Sequence, residues 1–153
     1  MKQSCNFSVG VDPASFKSSK RGLITGTVFV QVDDIAFPSF HWDDFPVRIL
    51  TWWLDAVKLL LSSEQNQSKC WFMDGPYGYE IIKENSREWI IRLFDERDAT
   101  IYHVEAVCNS VAVANAIRLA ADIVMTTCSD NNWMSTDLDA LASSYADLNA
   151  LCI

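Results

Sequence analysis

Apolar and polar residues alternate in two stretches near the start of the chain. In CNFSVGV, residues 5–11, every second residue is apolar, and in LITGTVFVQV, residues 23–32, Ile24, Val28 and Val30 share one side. A period of two is typical of half-buried strands. The polar loop between the two stretches predicts that they pair as an antiparallel hairpin.

The pattern becomes helical after Pro46. Polar residues recur at steps of three and four from Arg48 to Ser62, while the remaining positions from 47 to 61 are apolar. Such spacing traces one narrow polar stripe along a helix. Because the apolar surface is so wide, we expect this helix to be covered on more than one side. Trp52 and Trp53 lie off the stripe and are predicted to be core or interface residues.

Four further strands are predicted in the middle of the chain, because apolar residues alternate there between short polar turns. The predicted strands are residues 70–73, 77–84, 89–95 and 100–108. Within the third of them, the alternation directs Trp89, Ile91 and Leu93 towards the core.

Two helices are predicted at the end of the chain. The first covers residues 111–128 with Ser110 as its N-cap, and the second covers residues 137–153 with Thr136 as its N-cap. Each carries an apolar seam at helical spacing. The seams are Val113, Ile117, Ala121, Val124 and Cys128 in the first helix, and Leu138, Leu141, Tyr145, Leu148 and Cys152 in the second. Arg118 and Asp122 are predicted to pair on the outside of the first helix.

The predicted order of elements is β-β-α-β-β-β-β-α-α. Separate runs of strands and helices indicate an α+β fold, with an antiparallel sheet of about five to six strands and three helices in a single layer mainly on one face. The chain has 153 residues, which is the size of one ordinary domain. We therefore expect residues 1–153 to form a single α+β domain.

A cytoplasmic location is expected from the composition. No uninterrupted apolar run reaches the roughly 18 residues of a membrane span, and the first residues lack the apolar stretch of a secretory signal. The five cysteines are odd in number and show no Cys-x-x-Cys spacing. They are predicted to be reduced, buried thiols.

The net charge of −8 weighs against nucleic acid as a partner. A nucleic-acid-binding protein needs a basic surface to neutralise phosphates, and the 12 Lys and Arg residues are scattered here. An acidic surface favours solubility or a basic protein partner.

The motifs of common catalytic and metal sites are missing from the sequence. The two histidines, His41 and His103, are 62 positions apart and no paired-Cys spacing exists, which argues against a metal site. On one strand, His103 and Cys108 would lie about 17 Å apart on opposite faces, too far to share a proton. Nucleophile-elbow and glycine-rich phosphate-loop patterns are also absent. We therefore expect no cofactor and no enzymatic activity.

Aspartates and one tyrosine remain as candidate partner-binding residues. They are Asp33, Asp34, Asp43, Asp44, Asp74 and Tyr77. The aspartates also have structural interpretations: Asp43 and Asp44 precede a helix, where carboxylates interact well with the helix dipole, and Asp44 is predicted to pair with Arg48. Asp74 is placed in an Asp-Gly-Pro turn, where its carboxylate bonds the local backbone.

Three motifs resemble a family of small, acidic, uncharacterised bacterial proteins. They are the W-x-D-F-P-V pattern at residues 42–47, the L-x-W-W-L helix at residues 50–54 and the F-M-D-G-P-Y turn at residues 72–77, followed by a strand with Trp89. The resemblance spans roughly residues 25 to 95 and carries no catalytic residues. In size, acidity and lack of a catalytic set, the chain is also similar to immunity proteins of contact-dependent inhibition systems. That similarity implies a cognate toxin domain as partner.

Three functional hypotheses follow. The first is a non-enzymatic immunity protein that binds and neutralises a bacterial toxin, such as a basic nuclease. The second is a small-ligand-binding or enzymatic domain with a pocket between the sheet and the first helix, lined by His41, Trp42, Trp52 and Tyr77. The third is a structural subunit of a homo-oligomer, joined through the first helix or the seam of the last.

Overall fold

The computed structural model describes residues 4–98 and 102–151 of the chain. The start of the strand predicted at 100–108 and the predicted seam residue Cys152 lie outside the described residues, as does the side chain of His103. The fold is α+β, as predicted, and the elements follow the predicted order, with two additional short strands before the first helix.

The described residues form eight strands and three helices. The strands are β1 (Phe7–Ser18), β2 (Ile24–Val32), β3 (Ile35–Phe37), β4 (Asp43–Asp44), β5 (Gln67–Trp71), β6 (Tyr77–Lys83), β7 (Glu88–Asp95) and β8 (Tyr102–Asn109). The helices are α1 (Pro46–Leu61), α2 (Ser110–Asp130) and α3 (Thr136–Asn149), and a 3-10 turn spans Glu96–Asp98.

The strands divide into two antiparallel sheets of four strands each. In the first sheet β1 and β2 form the predicted hairpin, and both β3 and β4 pair with β2 on its other side. The second sheet is the predicted meander β5-β6-β7-β8. Its alternation is also as predicted, since Trp89, Ile91 and Leu93 are fully buried.

A disulfide and one isolated bridge connect the two sheets. Cys5 lies beside β8, where its N–H donates to the Val107 carbonyl oxygen at 2.7 Å. Its side chain is disulfide-bonded to Cys108, with the two Cα atoms 4.8 Å apart. The prediction that all cysteines are reduced is therefore wrong for this pair. Sequence spacing did not reveal it because the partners are 103 positions apart. Cys70 and Cys128 are free and buried, as predicted.

Helix α1 lies at the centre of the core, between the strands β2 and β5 and the helices α2 and α3. It begins at Pro46, as predicted, because a residue without an N–H loses nothing at the first helical position. Its wide apolar surface is covered on several sides, and Trp53 is fully buried with its Nε1–H donating to the Trp71 carbonyl oxygen at 2.9 Å. Burial of one such large side chain contributes roughly 1.5–3 kcal/mol.

Two predicted interactions at the start of α1 are wrong. Phe45 is the N-cap residue, no side chain caps the helix, and its first turn contains no acidic residue. Arg48 does not pair with Asp44; its Nε donates to Asp137 at the start of α3, at 2.8 Å. The ion pair therefore connects α1 to α3 and does not stabilise α1 locally.

The two C-terminal helices have the predicted seams but different caps. The side chain of Asn109, not Ser110, accepts the Ala112 N–H at 3.0 Å, and the side chain of Ser135, not Thr136, accepts the Leu138 N–H at 3.1 Å. Arg118 donates to the side-chain oxygens of Asn115 and Asn149 and not to Asp122 as predicted.

Helix α2 is long and apolar enough, by length and composition, to cross a membrane. The sequence prediction missed this property of α2 because it looked only for an uninterrupted apolar run. In the fold, its seam residues Val113, Ile117 and Val124 are fully buried, and the helix packs against β1 and α1. One face of this apolar helix is therefore buried in the core, whereas Val111, Leu119 and Ile123 are exposed on another.

Candidate protein-binding site

The segment before α1 and the turn between β5 and β6 meet around the buried carboxylate of Asp44. Its Oδ2 accepts hydrogen bonds from the Trp42 Nε1–H at 3.0 Å and the Asp74 N–H at 3.1 Å, and its Oδ1 accepts the Phe45 N–H at 2.7 Å. Only 2% of Asp44 is exposed. The carboxylate therefore fixes the β5–β6 turn against the start of α1, and residues 40–44 and 74–77 form one surface, the loop–turn face.

The pKa of the Asp44 carboxyl is raised from its ordinary value of 3.8. Burial is the main cause because removal from water disfavours the charged form, and the nearby Asp74 carboxylate adds to the shift. The three N–H donors act in the opposite direction but do not cancel it. Asp44 itself is too buried to contact a partner, and its role is to position Trp42 and Asp74.

Tyr77 contributes an aromatic centre to the loop–turn face. Its half-buried ring packs edge-on against Trp42, with centroids 5.5 Å apart, and against Phe37, at 5.7 Å. Arg97 covers the ring from outside, with its guanidinium carbon 5.7 Å from the centroid and its Nη2 donating to the Tyr77 hydroxyl at 3.2 Å. The same guanidinium pairs with Asp95 at 2.6 Å, and that carboxylate raises the Arg97 pKa.

Exposed aromatic rings extend the face along the segment before Trp42. Phe40 is 64% exposed; its ring packs at a tilt against Phe29 and edge-on against His41, with centroids 5.3 and 4.1 Å apart. His41 is exposed and has a left-handed backbone, with φ of 62°. Since only a few per cent of residues other than glycine adopt this conformation, the bend is a specific feature of the segment. It leads directly into exposed Asp43.

The structure brings only some of the predicted binding residues together. Asp43, Asp44, Asp74 and Tyr77 belong to the loop–turn face. Asp33 and Asp34 form the turn between β2 and β3. Asp33 is six positions along the chain from Thr27, the residue opposite Asp43, which corresponds to about 20 Å. Asp33 also has a local role, because its carboxylate accepts the Asn6 N–H at 2.9 Å.

The four residues predicted to line a pocket between the sheet and α1 do not share one. Trp42 and Tyr77 pack against each other, and His41 packs against Phe29 and Phe40. Trp52 is 45% exposed on the far side of α1, where it lines a surface recess with Arg48 and Asp137. These contacts separate Trp52 from the Trp42–Tyr77 pair and do not form the predicted lining.

The surfaces predicted for oligomerisation are largely internal. Trp53 and Leu54 of α1 are fully buried, and so are Leu141 and Leu148 of the α3 seam. Both surfaces are covered by other parts of the same chain.

Across residues 4–98 and 102–151, no group of three or more His, Cys, Asp or Glu side chains is arranged to hold a metal ion. Among these described residues, neither the Asp43 nor the Asp74 carboxylate forms an ion pair within 4.0 Å. The face therefore presents acidic and aromatic groups without an assembled metal site.

Arg97, Asp95 and Phe40 belong to the site but were not predicted from the sequence. Arg97 and Asp95 lie in a short polar stretch that reads as a loop, and nothing in it indicates Tyr77, 20 positions earlier, as a neighbour. Only Phe40 had a signal in the sequence that could have placed it in the site. It stands between Ser39 and His41, and a large apolar residue in a polar loop is often an exposed contact.

Comparison with protein-family models, curated proteins and solved structures finds no match to this chain.

Proposed function

We propose that the chain is a non-enzymatic protein-binding protein that holds its partner on the loop–turn face. The observation that carries this proposal is the exposure of Phe40, Asp43 and Asp74 on two segments that the buried Asp44 carboxylate holds together. Aromatic residues are enriched in protein interfaces, and Tyr and Trp are the commonest residues that dominate binding energy.

A basic partner fits the charge of this face. Asp43 and Asp74 present carboxylates to solvent, and the nearby guanidinium of Arg97 is already engaged by Asp95. The chain as a whole carries a net charge of −8, which accelerates encounter with a positively charged protein. Lysine and arginine side chains of the partner would pair with the two carboxylates, while its apolar side chains would contact Phe40.

In its most specific form, the proposal is an immunity protein that neutralises a cognate toxin domain, such as a basic nuclease. Its similarity to immunity proteins in size and acidity supports this form. A cytoplasmic location belongs to the same proposal because an immunity protein protects the cell that makes it. The Cys5–Cys108 disulfide opposes that location, since disulfides persist mainly in oxidising compartments.

The test uses the product of the gene adjacent to this one as the binding probe. Isothermal titration should show a one-to-one complex, and the complex should suppress the toxicity of that product in cells. The double substitution Asp43→Asn and Asp74→Asn should weaken binding about ten-fold or more, because truncating paired interface charges costs several kcal/mol.

A matched control removes the same charge elsewhere. Asp55 on α1 and Asp122 on α2 are exposed, so the double substitution Asp55→Asn and Asp122→Asn changes the net charge equally. It should leave the dissociation constant nearly unchanged at physiological salt. Equal losses for both double variants would show that net charge acts without the loop–turn face. A non-toxic adjacent product that forms no complex would refute the immunity function.

A further inference from the structure

A groove opens at the corner between α2 and α3, on a part of the molecule separate from the loop–turn face. It has a volume of about 340 Å³. Its walls are Met125 and Cys128 from the end of α2, Trp133 and Met134 from the connecting loop, and Leu138 from α3. This volume lies at the lower end of the range of small-molecule pockets, which is roughly 300–1,000 Å³.

The groove is preformed because hydrogen bonds hold the connecting loop. The Trp133 N–H donates to the Cys128 carbonyl oxygen at 2.9 Å, and the Asn132 N–H donates to the Ser129 carbonyl oxygen at 3.0 Å. The left-handed backbone of Asn132, with φ of 57°, turns the chain between these two bonds. The Ser135 side chain then caps α3, so the backbone of the connecting loop is held at both ends.

The lining carries no charged side chain. Burial raises the pKa of the Cys128 thiol to about 11, so this group is neutral at physiological pH. A charged ligand would lose water here without gaining an ionic partner. Met125 and Met134 add flexible, polarisable side chains that adapt to an aromatic or aliphatic ring.

Two polar groups stand at the edge of this apolar surface. The Ser129 hydroxyl and the Asn132 amide line the groove, and within the described residues neither side chain makes a hydrogen bond to protein. They offer a donor and an acceptor to a ligand without losing an internal bond. A mostly apolar site with a few such groups is the usual composition of a small-molecule pocket.

We infer that the α2–α3 groove binds a small, neutral, ring-containing molecule with one hydroxyl or carbonyl group. The ring packs between Trp133, Leu138 and the two methionines, and the polar group bonds Ser129 or Asn132. Complementarity of charge selects this class, because the uncharged lining has no partner for an anion or a cation.

The test is an NMR titration of the full chain with 2-naphthol, a neutral two-ring compound with one hydroxyl. Saturable shifts are expected at the Trp133 indole N–H, the Asn132 side-chain amide and the Leu138 backbone amide. The anion 2-naphthoate and the cation 2-naphthylmethylammonium should bind about ten-fold more weakly or worse. Shifts that fail to saturate, that occur elsewhere on the surface, or that are equal for the charged compounds would overturn the inference.

A pair of matched variants separates groove binding from loss of folding. Ala142 lines the groove and is exposed on α3, so Ala142→Leu fills the site without entering the core. Ala146 is one turn further along the same helix, also exposed and outside the lining, and Ala146→Leu is the control. Ala142→Leu should abolish saturable binding with an unchanged thermal midpoint, whereas Ala146→Leu should bind normally. Normal binding by a folded Ala142→Leu variant would contradict the site.

Discussion

The indole N–H of Trp42 donates a 3.0 Å hydrogen bond to Oδ2 of Asp44, the buried carboxylate two positions later. The same oxygen accepts the Asp74 N–H from a turn 30 positions away. One carboxylate therefore links the segment before α1 to the β5–β6 turn, and the loop–turn face depends on it. An aspartate that begins as a candidate binding residue has a positioning role in the structure.

Asp44→Asn is expected to lower the free energy of unfolding by about 1–3 kcal/mol. An amide has one accepting oxygen, so either Oδ2 with its two N–H donors or Oδ1 with the Phe45 N–H loses an acceptor. Urea unfolding followed by tryptophan fluorescence measures the change. Asp43→Asn, at the exposed neighbour, should stay within about 0.5 kcal/mol of the wild type. Equal losses of unfolding free energy for Asp44→Asn and Asp43→Asn would contradict the positioning role of the Asp44 carboxylate.

The raised pKa of Asp44 predicts how stability depends on pH. Between the raised folded-state pKa and the ordinary value of 3.8, the folded protein holds a proton that the unfolded chain has released. Stability from this group therefore increases as the pH falls through that window and is constant below it. The difference in unfolding free energy between wild type and Asp44→Asn should grow on acidification from pH 7 and level off near 3.8. If this difference in unfolding free energy instead shrinks as the pH falls, the folded-state pKa of Asp44 is lowered and not raised.

Local signals predicted the elements of this fold well. The start of α1 follows from Pro46 and the polar stripe, both contained within its own 16 residues. The buried positions of β7 follow from alternation alone. Such patterns predict the type of element and its buried positions, because both depend mainly on residues close together in the sequence.

Long-range partners were beyond these signals. Arg48 has Asp44 four positions away, at ideal helical spacing, yet it pairs with Asp137, 89 positions later. The helix starts too late to place Asp44 in its first turn, and the packing of α3 on α1 supplies a nearer carboxylate. The meeting of Asp44 with Asp74 was likewise unpredictable, since each turn signal describes only its own four residues.

The Cys5–Cys108 disulfide links residues 103 positions apart and ties the segment before β1 to β8. Reducing it should lower the free energy of unfolding by about 2–4 kcal/mol, because the unfolded chain regains the entropy of the open loop. Guanidinium unfolding with and without a phosphine reductant measures this effect. The double variant Cys5→Ala and Cys108→Ala should not respond to the reductant. Alkylation of both cysteines in the unreduced protein, detected by mass spectrometry, would contradict the bond.

Gly78 is the position in β6 where any side chain is excluded. A Cβ added there would lie 2.7 Å from the Phe94 ring and 2.9 Å from the Cys70 carbonyl oxygen. Gly78→Ala should therefore destabilise the protein by about 1–3 kcal/mol, as measured by urea unfolding.

The two contacts of Gly78 are separable with Phe94→Leu as a background. A flexible Leu removes the clash with the ring but leaves the clash with the backbone oxygen, so Gly78→Ala should cost less in that background and still cost something. Complete loss of the penalty would place the whole clash on the Phe94 ring. An unchanged penalty would place it on the strand β5, whose carbonyl oxygen has no room to move while Cys70 remains paired with Tyr79.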